Sequence, residues 1–371
     1  MKRIALLIVS FLTIFTAQAI DLTGVKIYIN PGHGGYDSND RSVWTIPVPE
    51  VWKNPEGYWE SKSNLVKGLA LKEMLEAAGA TVIISRTDNT SGIRDGEQFA
   101  GGGDRDLSEI AEEANANNVD HFLSIHSNSL NTTTNYLLLL YHGYNDQPTV
   151  AQSLPMAQSS GPIQINNPLT VWTSPTPMLR GDFTFYGDNL GLGVLRPLTV
   201  PGFLSEGSFH DYPPETHRLM NNDFCKLEAI RFFQHFHNYF KRDMPATGTI
   251  AGFVKSGNEL VDILKQPKFT YRAGSDDQWL PLNEVTVKLL NADGSQVLKT
   301  YTTDNWYNGI FAFYDLQPGN YKLSFSLTNY ESKTVDVTVT ASEIAYTKAF
   351  LKNINIIVPD YPAPEQGDGA T

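Results

Sequence analysis

The chain has 371 residues, 41% of them hydrophobic and 18% charged, the make-up of a globular protein with room for two domains rather than of a disordered one. Its formal net charge of −12 leaves no basic face of the kind phosphate backbones require, which excludes nucleic acid as a partner. With Cys225 as its one cysteine, the chain forms no intramolecular disulfide and folds on its core alone.

Residues 1–19 read as a secretory signal peptide. Met1-Lys2-Arg3 is basic, Ile4 to Phe15 is almost wholly apolar, and Ala17-Gln18-Ala19 suits signal peptidase. The run is too short for a stable membrane span, and nothing later is apolar enough to make one. The expectation is an exported protein with no span once the leader is removed.

From residue 22 to 243, short apolar runs alternate with helical patterns. Val25–Asn30 is expected to be a strand, and Glu60–Ala78 a helix with Leu65, Leu69, Met74 and Leu75 on one side and Gly79 as its C-terminal cap. Thr81–Ser85 follows as a strand, Leu107–Asn117 as a helix, and His121–His126, Tyr136–Tyr141 and Pro201–Glu206 as strands. The last helix spans 222–241, where Phe224 and Leu227 place Cys225 as a buried thiol. This alternation implies an α/β fold, a mostly parallel open sheet flanked by helices. After Pro245 the helices stop. Thr249–Val254, Thr286–Leu290, Gly309–Tyr314, Tyr321–Leu327 and Thr334–Thr340 are mostly period-two strands, so residues 248–353 are expected to form a small antiparallel all-β sandwich. Residues 354–371, rich in Pro, Gly and acid, read as a flexible tail.

Three expected strands end in residues with chemistry to offer. His33 follows the strand ending at Asn30, His126 ends the third strand, and Glu206 ends the strand that begins at Pro201. In an open parallel sheet, functional groups gather at the carboxyl ends of strands. Glu60, at the start of the first helix, reaches the same edge if that helix returns alongside the first strand. Two histidines and a carboxylate make a catalytic zinc set with a fourth position for water, and a second carboxylate is needed to move the proton. Position alone leaves open which of Glu60 and Glu206 plays which part.

Asn30-Pro31-Gly32-His33-Gly34-Gly35 with Asp37, Glu60-Ser61-Lys62-Ser63-Asn64-Leu65, Ser124-Ile125-His126-Ser127-Asn128, Val194-Leu195-Arg196 and Phe203-Leu204-Ser205-Glu206-Gly207 occur in this order. Together they resemble the motifs of the zinc-dependent N-acetylmuramoyl-L-alanine amidases of the amidase-3 type, over residues 24 to 241. The resemblance implies that His33, Glu60 and His126 hold one Zn2+ and that Glu206 is the catalytic general acid/base. The implied substrate is peptidoglycan or its muropeptides, and the implied location is periplasmic or cell-wall associated. The alternatives are a zinc peptidase acting on muropeptide stem peptides and a non-catalytic wall-binding protein. Tyr36–Tyr58 is longer than the family pattern suggests and contains Glu50 and Glu56 as rival ligands to Glu60.

The region beyond 248, with Gly248-Thr249-Ile250-Ala251-Gly252 and Leu316-Gln317-Pro318-Gly319-Asn320-Tyr321, is similar to carboxypeptidase-regulatory-like, transthyretin-like sandwich domains. Wall binding, docking of a protein partner and spacing are all open to it, and Asp276-Asp277-Gln278-Trp279 is its candidate partner loop. Elsewhere the residues read as structural. His121, His142, His210, His217, His235 and His237 are packing or surface residues, Arg86 and Asp88 an internal ion pair, and Trp172, Phe183, Phe185 and Tyr186 core aromatics. Asn128 and Arg180 are assigned to supporting or substrate contacts. The segment 143–178 shows no amphipathic pattern, so no helix is expected to plug the site.

Overall fold

The computed structural model describes residues 21–35, 58–89, 105–262 and 270–356. The expected leader, nearly all of the tail, and Glu50 and Glu56 lie outside the described residues. In chain order the first region contains β1 (Lys26–Pro31), α1 (Glu60–Ala77), β2 (Thr81–Ile84), α2 (Leu107–Ala116), β3 (His121–Asn128) and β4 (Leu138–Tyr141). It continues with β5 (Gly143–Tyr144), β6 (Gln147–Pro148), α3 (Ser153–Ile165), β7 (Met178–Gly181), α4 (Asp182–Tyr186), β8 (Gly202–Phe209), α5 (Pro213–Leu219) and α6 (Asn222–Phe240). No helix among the described residues is long and apolar enough to cross a membrane.

The main sheet has the order β2-β1-β3-β8-β4-β7. The first four are mutually parallel, β4 runs antiparallel to β8, and β7 is parallel to β4. Strand alternation sorts the side chains onto two faces. Ile27, Ile29, Leu123, Ile125 and Phe203 point to one core with Leu71 and Leu75 of α1, Met156 and Ala157 of α3, and Phe232 and Phe236 of α6. Tyr28, Phe122 and Leu204 point to the other, with Ile110, Ala111 and Ala114 of α2 and Val194, Leu195 and Leu198. Each fully buried Leu or Phe of this kind contributes roughly 1.5–3 kcal/mol relative to exposure.

Two helices depart from the sequence reading. Leu69 is exposed, because the face of α1 that turns inward is Glu60, Ser61, Asn64, Leu65, Lys67, Gly68, Leu71 and Leu75. That face is polar near its start because it meets the site rather than the core, and Lys67 is paired with Glu228 of α6 at 3.1 Å. Gly68 is required there, since a Cβ would collide with the Pro31 ring at the end of β1. The segment 143–178 contains a helix that the sequence reading did not mark, α3; its Met156 and Ala157 belong to the core beneath the sheet, and none of its residues lines the cleft beside His33. Pro162 and scattered polar residues hide its periodicity.

The second region is all-β: β9 (Gly248–Leu260), a 3-10 turn (Asp276–Gln278), β10 (Trp279–Pro281), β11 (Thr286–Leu290), β12 (Val297–Thr302), β13 (Ile310–Leu316), β14 (Gly319–Ser326), β15 (Lys333–Val339) and β16 (Ile344–Leu351). One sheet has the order β12-β11-β14-β15, all antiparallel. In the other, β9 pairs antiparallel with β13 and β10 but parallel with β16, so the region is not purely antiparallel. Residues of both sheets, including Val254, Val287, Leu289, Phe311, Phe325, Val337 and Leu351, share one core. The sequence reading missed β10, β12 and β16; β12 is almost wholly exposed and so has no apolar alternation to find.

The two regions are joined by a buried seam. Leu219, Phe224 and Leu227 pack against Ala251, Phe253, Ile310 and Ala312. Asp277, in the loop assigned above to partner contact, is instead buried inside the molecule. It accepts hydrogen bonds from Arg218 (2.8 Å), Lys255 (3.0 Å) and the Tyr212 hydroxyl (3.0 Å), and Glu215 accepts a second bond from Arg218 (2.7 Å). Burial would raise the Asp277 carboxyl, but the Arg218 and Lys255 charges outweigh it and hold it far below the usual carboxylate range.

Candidate metal centre

His33 leaves β1 through a turn in which its own φ is +60°, a left-handed conformation that few non-glycine residues adopt and that histidine tolerates better than most. The turn is fixed from several sides. Arg86, buried, donates from Nε to the Pro31 carbonyl (2.9 Å) and from Nη2 to those of Gly32 (3.0 Å) and Ser61 (2.6 Å). The Gly32 N–H donates to the Ile125 carbonyl of β3 (2.9 Å), and Ser61 Oγ and Asn89 Nδ2 both donate to the Gly35 carbonyl. Arg86, read as one half of an ion pair, thus ties β1, α1 and the His33 turn together. It also donates to the main-chain carbonyl of Asp88 (3.1 Å).

Glu60 opens α1 and is fully buried. Its Oε2 is 3.2 Å from His33 Nε2, and its Oε1 is 3.2 Å from His126 Nδ1. One ligand atom from each of the three residues lies within 4.8 Å of the other two, in a group able to hold a metal ion. Gly32 makes the approach feasible: a Cβ there would occupy the space of the His126 ring.

The carboxylate of Glu60 is oriented by its surroundings. Oε1 accepts from the Ser127 N–H (2.9 Å) and from Asn64 Nδ2 (3.4 Å), one helical turn along α1, whereas Oε2 meets no main-chain or amide donor and faces the His33 ring. Burial would raise this carboxyl, but the adjoining His33 and His126 rings prevail and hold it well below the usual carboxylate range. Burial lowers His126, favouring the neutral ring that a metal requires.

Glu206 stands directly beside His126, in register on the neighbouring parallel strand. Registered positions on adjacent strands lie roughly 4.8 Å apart and face the same way. Both are half-buried in otherwise largely buried strands, and both belong to the α2 face. That face opens on a cleft of about 250 Å³ whose walls include His33, His126, Asn30, Arg86, Leu192 and Val194. The structure therefore brings His33, Glu60, His126 and Glu206 to one edge of the sheet.

Sequence reasoning missed a set of groups behind the centre. His210, read as structural, lies 3.8 Å from Glu60 Oε2, bonds through Nδ1 to Ser127 Oγ (2.9 Å), and stacks on Tyr58. The buried Tyr58 hydroxyl bonds Ser127 Oγ (2.7 Å) and Ser63 Oγ (3.1 Å). The available signal was the serine next to His126 and a histidine four residues beyond Glu206, neither of which has a spacing of its own. The other histidines are spent elsewhere. His142 holds Asp182 at 3.0 Å, His217 Nδ1 bonds the Trp306 carbonyl at 2.6 Å, and His121 and His235 meet each other through Nε2 at 3.2 Å. Asn128 caps locally on Ser129, and Arg180 is exposed and bonds the Leu179 carbonyl. Phe185 and Tyr186, expected in the core, are exposed on α4.

The N-acetylmuramoyl-L-alanine amidase CwlM of Bacillus licheniformis is 25% identical over 207 residues, which is 55% of this chain and 64% of that protein. The chain thus spans less than two thirds of that relative's length. Among solved structures, AmiC2 of Nostoc punctiforme covers 59% of this chain and 99% of its own at 21% identity and a TM-score of 0.42. Ami1 of Mycobacterium abscessus covers 59% of this chain and 100% of its own at 16% identity and a TM-score of 0.44. The family model described as N-acetylmuramoyl-L-alanine amidase matches residues 27–231, more than half the chain and every residue of the site, and the chain belongs to that family, the amidase-3 type.

Proposed function

We propose that this protein hydrolyses the amide between the lactyl group of N-acetylmuramic acid and L-alanine in peptidoglycan, using one zinc ion held by His33, Glu60 and His126. The observation that supports it is the convergence of two histidine rings on one fully buried carboxylate, Glu60, with one ligand atom of each residue within 4.8 Å of the others. A buried carboxylate is costly unless positive charge meets it, and neutral rings leave that part to a cation. Both rings lie against the same carboxylate, His33 Nε2 3.2 Å from Oε2 and His126 Nδ1 3.2 Å from Oε1, so one ion could reach all three residues. A nitrogen, oxygen and nitrogen donor set leaves the fourth position for water or substrate.

Zinc bound there would supply Lewis acidity, lowering the pKa of water to about 7 and polarising the scissile carbonyl. The protein's own residues supply the rest. Glu206, beside His126, takes the proton from the attacking water as the new C–O bond forms. It returns that proton to the amide nitrogen as the C–N bond breaks, so no amide anion is expelled; the proton left on the new hydroxyl then passes to the amine, giving a carboxylate and an ammonium group. Arg86 and the Ser127 N–H keep His33 and Glu60 in position, which is where a metal site's precision resides. The cleft lined by Leu192, Val194 and Arg86 is the place for the substrate.

The leader supports export to the periplasm or wall, and the all-β region supports a role in wall or partner attachment by its likeness to transthyretin-like domains. Metal analysis of the purified full chain tests the centre: about one zinc per chain is expected, with loss in Glu60→Ala. A wild-type chain that binds no zinc would refute the assignment.

A further inference from the structure

Arg231, in the middle of α6, is 3% exposed. Its Nη1 donates to the Tyr346 hydroxyl (3.1 Å), its Nε has no hydrogen-bond partner, and it enters no ion pair among the described residues. The other cations buried to this degree are all provided for. Lys67 faces Glu228, Arg218 and Lys255 face Asp277, and Arg86 reaches four main-chain carbonyls. The Arg231 guanidinium is thus left with one neutral acceptor, a partnerless buried Nε and no counter-charge among the described residues.

Arg231 also lines a cavity of about 440 Å³ between α3, α6 and the start of β16. Arg231, Gln234 and Asn238 lie on one stripe of α6 and form its wall, with Arg242 just beyond the helix end. Facing them are Ser342, Glu343, Ile344 and Tyr346 from the all-β region. Glu343, the one carboxylate in the lining, forms no ion pair with either arginine, so the wall is left with an excess of positive charge; Asn238 adds an amide, while Gln234 Nε2 already donates to the Ser342 carbonyl (2.9 Å). The cavity shares no residue with the cleft beside His33. It sits at the other edge of the sheet, because His235, one turn beyond Arg231, meets His121 at the start of β3 while the metal ligands lie at strand ends.

We propose that this cavity is a second ligand site, taking a small polar molecule whose carboxylate or phosphate group pairs with Arg231. A planar guanidinium with free donors matches either oxyanion through paired N–H bonds. The site is independent of the metal chemistry, so it stands or falls without reference to amidase activity.

Calorimetric titration of the full chain with N-acetyl-D-alanine in one arm and inorganic phosphate in the other tests this and separates the two oxyanions. The wild type is expected to bind at least one probe, and Arg231→Met to weaken that binding by about tenfold or more. The variant's own melting midpoint in buffer should be equal to or above the wild type's, since an uncompensated buried charge has been removed. If Arg231→Met does not fold, Arg231→Lys keeps the charge but loses the fork, and is expected to bind more weakly. Absence of binding to both probes by the wild type, or equal affinity in the substituted chain, would overturn the proposal.

Discussion

At the scale of single residues, Gly32 and Glu206 decide different things. Gly32 has no chemistry, yet its missing Cβ is what lets the His126 ring approach His33 and Glu60. Gly32→Ala must push that ring or the β1 turn aside, an overpacking cost of about 1–3 kcal/mol that falls on the metal geometry. Zinc competition against a chromogenic chelator should show affinity lowered tenfold or more with the fold intact by circular dichroism; unchanged affinity would show that the ring has room to move. Glu206→Gln removes the proposed proton carrier while leaving the three proposed ligands in place. Turnover should fall by about 10²–10⁴-fold with zinc content unchanged. A variant that loses zinc along with activity would instead make Glu206 a ligand. His33, His126 and Glu206 were legible because each closes a short apolar run, and strand ends collect function. Glu60 was legible only through the helix after it. His210 and Tyr58 were not, since their roles depend on β8 running on to Phe209 and on a serine shared across two strands.

At the scale of elements, the contact between β3 and α6 has a pH dependence built into it. His121 and His235 are fully buried among Phe203, Phe236 and Tyr239, and face each other at 3.2 Å. Burial depresses both: His235 to about 3, and His121, with the neighbouring His235 adding to the effect, well below its ordinary value. The folded protein therefore keeps both neutral while the unfolded chain, with histidines near 6.5, takes up protons as pH falls. Their contribution is complete above about pH 6.5 and is lost below it, at about 1.4 kcal/mol per pH unit for each histidine. Denaturant melts at pH 7.5 and 5.5 should show a drop that His235→Phe reduces. An equal drop in the variant would place the acid sensitivity elsewhere. The sequence reading set these histidines down as packing or surface residues. It did not pair them, because residues 121 and 235 are brought together only by the return of α6 under the sheet. The same helix holds much of the core, and Phe236→Ala should cost about 3–5 kcal/mol.

At the scale of the whole molecule, the change in sequence character near residue 245 marked where helices end, but not that the two regions share a seam. The reason is physical: Arg218, Asp277 and Lys255 are individually ordinary surface-type residues, and only their mutual burial makes them structural. Asp277→Ala leaves two buried cations short of a partner and should destabilise the protein by about 3–5 kcal/mol, read from urea midpoints. A loss below 1 kcal/mol would mean that the seam bears little of the fold's stability. The architecture of the first region was largely readable: five of its strands and a mostly parallel sheet flanked by helices were expected, though not which strand runs antiparallel. Among the elements not read were α3, whose periodicity Pro162 and its polar neighbours conceal, the short β7, α4 and α5, and β10, β12 and β16 of the second region, of which β12 is almost wholly exposed.

The proposed metal-dependent cut at one bond is tested most directly by the identity of the fragments released from peptidoglycan by the purified full chain, with and without a chelator. The expected products are stem peptides with a free N-terminal L-alanine and glycan strands whose muramic lactyl carboxylates are bare, formed only without chelator and restored by added zinc. Peptides cut internally and still attached to muramic acid, or release that a chelator leaves untouched, would contradict it.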